Sequence, residues 1–215
     1  MSKKLSSTQL LGSQQGIDER LELLTAPHMT RLVKFREQLV ETAPTHVPHF
    51  DPLDGGVQAR CQLLLDSPGR RSADSGSTTV VGTGFVSRDN PDPTADNLRA
   101  ATLQVGLPRK VTVLWNAVPW YVGDANKLAP TVAANWCAAM PALKLFVPLL
   151  PELQVVVLLG RKAERAEKMF RSEFPSLTIL KCPHTGGKAY NREYLKNKVL
   201  DELSAAVRHL GFRNA

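Results

Sequence analysis

The sequence predicts an α/β protein, a three-layer α-β-α sandwich with a central four-stranded parallel sheet. Four short apolar runs are typical of buried strands, and segments with a helical spacing of apolar residues lie between them. Strands that alternate with helices in this way form a parallel sheet with helices on both faces. The four runs are QLLL at 62–65, VTVLW at 111–115, VVVLL at 155–159 and LTIL at 177–180.

The length and composition favour one domain. The chain has 215 residues, of which 43% are hydrophobic, enough to form one substantial core. Residues 1–15 are polar and show no periodicity. We therefore expect a flexible N-terminal tail at 1–15 and a single domain at 16–215.

The helices are predicted from apolar spacing and from the residues at their ends. A helix at 29–42 should end before the Pro-rich loop at 44–52. Thr94, which follows Pro93, is predicted to cap the next helix, and Gly106 should end it. Four more segments complete the pattern: a short extended piece at 80–87, an Ala-rich helix at 131–140, a helix after Gly160 and a last helix at 191–210.

The charge distribution suggests a polyanionic partner. The formal net charge is +7, and residues 161–215 hold 12 Lys or Arg against 6 Asp or Glu, so the excess is concentrated there. The three cysteines show no CxxC spacing and are expected to be reduced and structural. No stretch reaches the about 18 apolar residues of a membrane-spanning helix, and the N-terminus has no apolar signal region, so we expect a cytoplasmic protein.

Polar residues stand just past three of the predicted strands. These are Asp66, Asn116 and His184. Each alone has an ordinary structural explanation, since Asp caps helices, Asn closes loops and a lone His is often packed in the core. The carboxyl ends of parallel strands meet at one edge of a sheet, where ligands bind. Together the three residues therefore predict a functional site.

Two other patterns are weaker. A loop rich in proline carries four side chains that can bind a metal, His46, His49, Asp51 and Asp54, but its prolines favour a rigid structural loop. GGK at 186–188 lacks the GxxxxGK[ST] spacing of a phosphate-binding loop. We therefore predict neither a metal site nor a nucleoside triphosphatase.

Five segments, in the correct order, resemble the motifs of the uracil-DNA glycosylase superfamily over about residues 47–191. DSPG resembles the first motif, whose variants read GQDPYH, GEAPG or GINPG, and CPHTGGKAYN resembles the HPSP-type motif. The segments are DSPG at 66–69, GTGF at 82–85, LWN at 114–116, LLGRKA at 158–163 and CPHTGGKAYN at 182–191.

The resemblance implies a role for each residue near the base. His184 would stabilise the departing uracil anion, and Asp66 would stabilise the sugar cation or orient water. Ser67 stands where the best-known class has its water-activating Asp, which leaves open whether Ser67, or a residue of the 87–97 loop such as Asp89, shares that task. Phe85 would stack on the flipped base, and Asn116 would read its edge.

The resemblance also implies contacts with DNA. Tyr190 takes the place of the residue that fills the gap left by the flipped base. Lys188 and Arg192 beside it, and Arg70 and Arg71 after the first motif, would bind phosphates. The four cysteines of one class's iron-sulfur cluster are missing, so no cofactor and no metal are expected. The insert of the covalently trapping class contains a His that this chain lacks, so no covalent adduct is expected.

The leading hypothesis is a monofunctional uracil-DNA glycosylase that acts in base excision repair as a monomer, with uracil-containing DNA as its partner. The alternative is a non-catalytic module that binds damaged or flipped bases, because Ser67 is an unusual residue in the first motif. A hydrolase of small nucleosides is a weaker third possibility.

Overall fold

A four-stranded parallel sheet forms the centre of the protein. The computed structural model describes residues 11–73, 82–124 and 127–212. The sheet has the order β4-β2-β5-β6, and all three strand pairs are parallel. Its strands are β2 (Cys61–Leu65), β4 (Thr112–Asn116), β5 (Val155–Leu159) and β6 (Thr178–Cys182). Each coincides with one of the four predicted apolar runs, so the predicted sheet is confirmed.

A second, two-stranded sheet and the helices complete the fold. Strands β1 (His49–Phe50) and β3 (Phe85–Val86) pair in parallel. No helix within the described ranges is both long enough and apolar enough to cross a membrane. The α-helices are α1 (Gln14–Glu22), α2 (Thr30–Thr42), α3 (Pro93–Gln104), α4 (Ala133–Phe146), α5 (Glu167–Glu173), α6 (Gly187–Tyr190) and α7 (Glu193–His209).

Helices cover both faces of the central sheet. Successive side chains of a strand point to opposite faces. In β4, Trp115 packs against Phe50 and Phe146, on the side of α2 and α4. Its neighbour Leu114 lines a cavity together with Leu98 of α3, and α3 packs against α7. The three predicted layers are therefore present.

Helix ends differ from the prediction in three places. Asp92, not Thr94, caps α3: its carboxylate accepts from the Thr94 and Ala95 amides at 2.9 and 3.1 Å. The predicted cap was wrong because Pro93 is itself the first helical residue, where its missing N–H costs nothing. Helix α4 continues through Pro141, and the predicted last helix is divided into α6 and α7.

The N-terminal part of the described chain is packed on the domain. Residues 1–10 of the predicted tail lie outside the described residues. Leu11 is buried, and its amide donates to the carbonyl oxygen of Asp89 at 3.2 Å. Ser13 then caps α1, with its side chain accepting from the Gly16 amide.

A buried network of ion pairs joins the N-terminal helix to the loops around the sheet. Asp51 accepts from Arg20 at 2.8 Å and from Arg109 at 2.5 Å, and both its oxygens are inaccessible to solvent. Asp54 accepts from Arg109 at 2.9 Å and from Arg88 at 3.2 Å. The carboxylates of the Pro-rich loop thus bind arginines, and no group of three metal-binding side chains occurs in the described part of the chain.

Candidate active site

The sheet brings the three predicted strand-end residues to one cavity. Asp66 directly follows β2, Asn116 is the last residue of β4, and His184 lies two residues after β6. Because β2 and β4 pair in parallel, with Leu65 opposite Asn116, these ends lie side by side. A cavity of about 710 Å³ opens at this edge, and all three residues line it.

His184 is held as a neutral hydrogen-bond donor. Its Nδ1 accepts from the Gly186 amide at 2.8 Å, so the ring proton is on Nε2. Although His184 is partly open to solvent, desolvation at the cavity wall lowers its pKa below the ordinary 6.5. Asp66 and Asp92 act in the opposite direction, and Lys162 lowers the pKa by a smaller amount. The imidazole can therefore donate from Nε2 without carrying a charge.

Two glycines fix the position of this ring. A Cβ on Gly160, which has φ +94°, would lie 2.9 Å from the Cβ of His184. A Cβ on Gly186 would lie 2.8 Å from Nδ1. Both distances are below ordinary van der Waals contact, so the backbone approaches His184 closely only because these residues lack side chains.

Asp66 is oriented by a hydroxyl and by an ammonium group. The hydroxyl of Thr131 lies 2.9 Å from Oδ1 and 2.8 Å from Oδ2 and donates to this carboxylate. The ammonium of Lys162 lies 3.2 Å from Oδ2. Asp66 therefore presents a paired, oriented carboxylate to the cavity, with a cation at its side.

Asn116 has no hydrogen-bond partner for its amide. The residue is 2% exposed, and neither the amide oxygen nor the amide nitrogen bonds to any described residue. Leaving such a buried group unpaired costs about 1–3 kcal/mol, and an exception of this kind calls for an explanation. Asn90, which also lines the cavity, differs, because its amide bonds to Phe85, Ser72 and Thr83.

Phe85 does not reach the cavity. It is 0% exposed, and its ring centre lies 5.4 Å from that of His49. Strand alternation explains the result, since the next residue of β3, Val86, lines the cavity instead. No Phe, Tyr or Trp of the described chain lines this cavity, so the position of the Phe85 ring does not support the predicted stacking role.

Tyr190 is not placed for insertion into DNA. It is 7% exposed and belongs to the hydrophobic core, with the Lys196 ammonium 5.8 Å from its ring centre. A side chain packed in this way would have to leave the core to fill a gap in a duplex. Lys188 and Arg192 on either side are exposed, but they do not line the cavity.

The remaining predicted residues divide between the cavity and the ion-pair network. Ser67, Arg70 and Arg71 line the cavity next to Asp66. Asp89 does not: its carboxylate accepts from Arg20 at 2.8 Å and from Arg109 at 2.6 Å. Asp89 is therefore part of the buried network, away from the position in which it would share a water molecule with Asp66.

Two residues at the site were missed from the sequence. Lys162 follows β5 by three residues, so the strand-end rule that selected Asp66 also applies to it. Thr131 lies in the loop before α4, and nothing in its sequence neighbourhood indicates that it contacts Asp66. The contact between Thr131 and Asp66 is visible only in the tertiary structure.

Comparisons with known proteins place the fold. The sequence matches no protein-family model and no curated protein. The mimivirus uracil-DNA glycosylase is 13% identical with a TM-score of 0.50, covering 90% of this chain and 87% of the viral one. SMUG2 from Pedobacter heparinus is 14% identical with a TM-score of 0.49, covering 72% of this chain and 76% of the other. The match to the viral structure over nine-tenths of this chain shows that the two proteins share a fold.

Proposed function

We propose that the protein is a monofunctional uracil-DNA glycosylase, a cytoplasmic monomer that hydrolyses the N-glycosidic bond of deoxyuridine in DNA. Its products would be uracil and an abasic site. The observation that carries the proposal is the meeting, in one cavity, of a neutral His184, the Asp66 carboxylate and the unpartnered amide of Asn116. His184 can stabilise the leaving base, Asp66 can stabilise the sugar cation, and Asn116 can bind the edge of the base.

Breaking the glycosidic bond creates negative charge on the base and positive charge on the sugar, so the site must stabilise both. When the C1′–N1 bond breaks, its electron pair goes to the uracil ring, and positive charge develops on the sugar. A hydrogen bond from His184 Nε2 to O2 of uracil strengthens as negative charge builds on that oxygen. Asp66 stabilises the sugar cation, and water then attacks C1′ and loses a proton.

The basic residues near the cavity suit a DNA substrate. Arg70 and Arg71 line the cavity, and Lys188 and Arg192 are exposed. Cations in these places neutralise phosphates and make binding weaker at high salt. A target base in a duplex must be flipped out to reach the cavity, which costs a few kcal/mol of lost pairing and stacking.

Asn116 is proposed as the residue that selects uracil. In one of its two orientations its amide donates to O4 and accepts from N3–H of uracil. In that orientation it does not pair with cytosine, which presents the reverse pattern at both atoms. Asn116 lines the cavity but its amide atoms are buried, so contact with a bound base requires neighbouring side chains to move.

Asn116→Asp is expected to lower the ratio of uracil release to cytosine release by about 30-fold, since two hydrogen bonds of about 1 kcal/mol each change. Single-turnover rates on matched duplexes measure the ratio. Asn197→Asp, at an exposed position of α7, serves as the control and should keep the wild-type ratio. An unchanged ratio in Asn116→Asp would remove Asn116 from the specificity role.

The direct test uses a labelled duplex with one uracil. The purified protein is incubated with this DNA and then with alkali, which breaks the strand at abasic sites. Strand breakage only at the uracil position, with free uracil as the product, supports the proposal. No breakage at a large excess of protein rejects it.

A non-catalytic module that binds flipped bases is the second candidate. The observation that favours it is the state of Asp66, whose oxygens are already engaged by Thr131 and Lys162. Ser67 in place of the water-activating Asp points in the same direction. Binding of uracil-containing DNA in a gel shift, without release of uracil, would identify this function.

Gly160→Ala tests whether the position of His184 matters. The added Cβ would push against the His184 ring, and misplacement of a reacting group by about 1 Å can cost about 100-fold in rate. We expect single-turnover uracil release to fall by about 10-fold to 100-fold. Gly211→Ala is the matched control, because Gly211 also has a positive φ, +79°, and its Cβ would meet no atom within 4 Å. Equal rates for the two variants would contradict the prediction.

A further inference from the structure

Lys162 lies at the centre of the site's charged groups. Its ammonium is 3.2 Å from Oδ2 of Asp66, and its side chain lines the same cavity as His184 and Asn116. Its charge also acts on the His184 ring. Lys162 is thus paired with the carboxylate assigned to the sugar and lines the same cavity as the imidazole assigned to the base.

The fold holds Lys162 in this place. The turn after β5 passes close to His184 because Gly160 has no side chain. Lys162 stands just before the 3₁₀ turn at Ala163–Ala166, whose first residue, Ala163, is fully buried. The backbone is therefore anchored, while the lysine side chain, 45% exposed, extends into the cavity toward Asp66.

We propose that Lys162 is a catalytic residue whose ammonium stabilises the uracil anion as it leaves, an inference that rests on the proposed glycosylase function. The C1′–N1 bond breaks with its electron pair moving to N1 and, by resonance, to O2. Lys162 supplies positive charge next to this oxygen, beside the neutral hydrogen bond from His184. The lysine transfers no proton, and the proton lost by the attacking water goes to Asp66 or to solvent.

The position of the Lys162 ammonium beside Asp66 fits the course of the reaction. In the free protein it pairs with Asp66, so neither charge is left alone in the cavity. As the bond breaks, Asp66 gains the sugar cation as a partner, and Lys162 gains the uracil anion. The charge of Lys162 is therefore matched better in the transition state than before it, which is the condition for a rate effect.

The test compares Lys162→Met with Lys181→Met. Lys181 is a matched control, because its ammonium is also 3.2 Å from a carboxylate, that of Glu167, and its side chain is 51% exposed, but it does not line the cavity. Both variants lose one positive charge. Single-turnover rates and KM are measured on duplexes that contain uracil or 5-fluorouracil, whose anion is more stable because fluorine withdraws electrons.

We expect Lys162→Met to slow uracil release by about 10-fold to 100-fold with little change in KM. The loss should be clearly smaller with 5-fluorouracil, because a better leaving group needs less stabilisation. Lys162→Arg should recover part of the rate, and Lys181→Met should resemble the wild type. An equal loss on both bases, a change in KM alone, or no loss would overturn the inference.

A second measurement does not depend on activity. NMR titration of the His184 ring should show a higher pKa in Lys162→Met than in the wild type, because a positive neighbour has been removed while Asp66 and Asp92 remain. Lys181→Met should leave this pKa unchanged. An unshifted His184 in Lys162→Met would also overturn the inference. A wild-type protein that releases no uracil would reject the proposed function itself, whereas an active wild type matched by Lys162→Met rejects only the role of Lys162.

Discussion

Replacing His184 with alanine is expected to slow uracil release by about 10²-fold to 10³-fold, the usual cost of losing one hydrogen-bond donor to a developing anion. The donor is the Nε2–H group, which is fixed by the bond from Gly186 to Nδ1. Single-turnover kinetics on a uracil-containing duplex measure the loss. His209→Ala is the control, since His209 lies near the end of α7 and bonds to Thr178. A wild-type rate in His184→Ala would show that the site has been placed wrongly.

The proposed role of His184 as a neutral hydrogen-bond donor also determines how the rate depends on pH. Protonation of His184 would remove the acceptor for the Gly186 amide, so the neutral ring is the active form. Desolvation at the cavity wall, and to a smaller extent Lys162, hold the pKa of His184 below 6.5, against the opposing charges of Asp66 and Asp92. The rate should therefore be constant above pH 6.5 and should fall only as the pH drops through the lowered pKa.

The largest expected effect on stability comes from Asp51→Asn. This change removes the negative charge between Arg20 and Arg109 in a site closed to solvent, and breaking a buried ion pair costs about 3–5 kcal/mol. Urea denaturation followed by circular dichroism measures the loss. Asp96→Asn, which affects an exposed pair with Arg99, should change stability by less than about 1 kcal/mol. Equal stabilities of the two variants would contradict the structural role of the network.

The contribution of Asp51 to stability depends on pH, and the direction of its pKa shift shows how. Burial alone would raise the pKa of Asp51, but Arg109 and Arg20 hold it below the ordinary 3.8. A carboxyl group whose pKa is lower in the folded state contributes fully above its unfolded pKa. The contribution of Asp51 is therefore complete above about pH 4 and is lost as the pH falls through the folded pKa.

The sequence predicted the sheet and its edge because the relevant signals are local. Three of the four apolar runs are followed by a polar residue, and parallel pairing then brings Asp66, Asn116 and His184 together. The partners of Asp66 were not predictable in this way. Thr131 is 65 positions away along the chain, and its contact depends on how the loop before α4 folds back.

Phe85 and Tyr190 show how a motif can match while the side chain lies elsewhere. In β3 a shift of one residue decides whether Phe85 or Val86 faces the cavity. Tyr190 lies at the end of α6, on the side that packs on the core. The arginine partners of Asp51 and Asp54 were missed for a different reason, since no sequence pattern indicates which distant cations a buried carboxylate will meet.

The unpaired amide of Asn116 has a consequence for the evolution of this protein. A buried group without a partner weakens the empty fold, and an apolar residue of the same shape would be the more stabilising choice at the end of β4. Selection for stability alone would therefore remove Asn116. If Asn116 reads the base as proposed, its presence is a compromise in which some thermodynamic stability is given up for recognition.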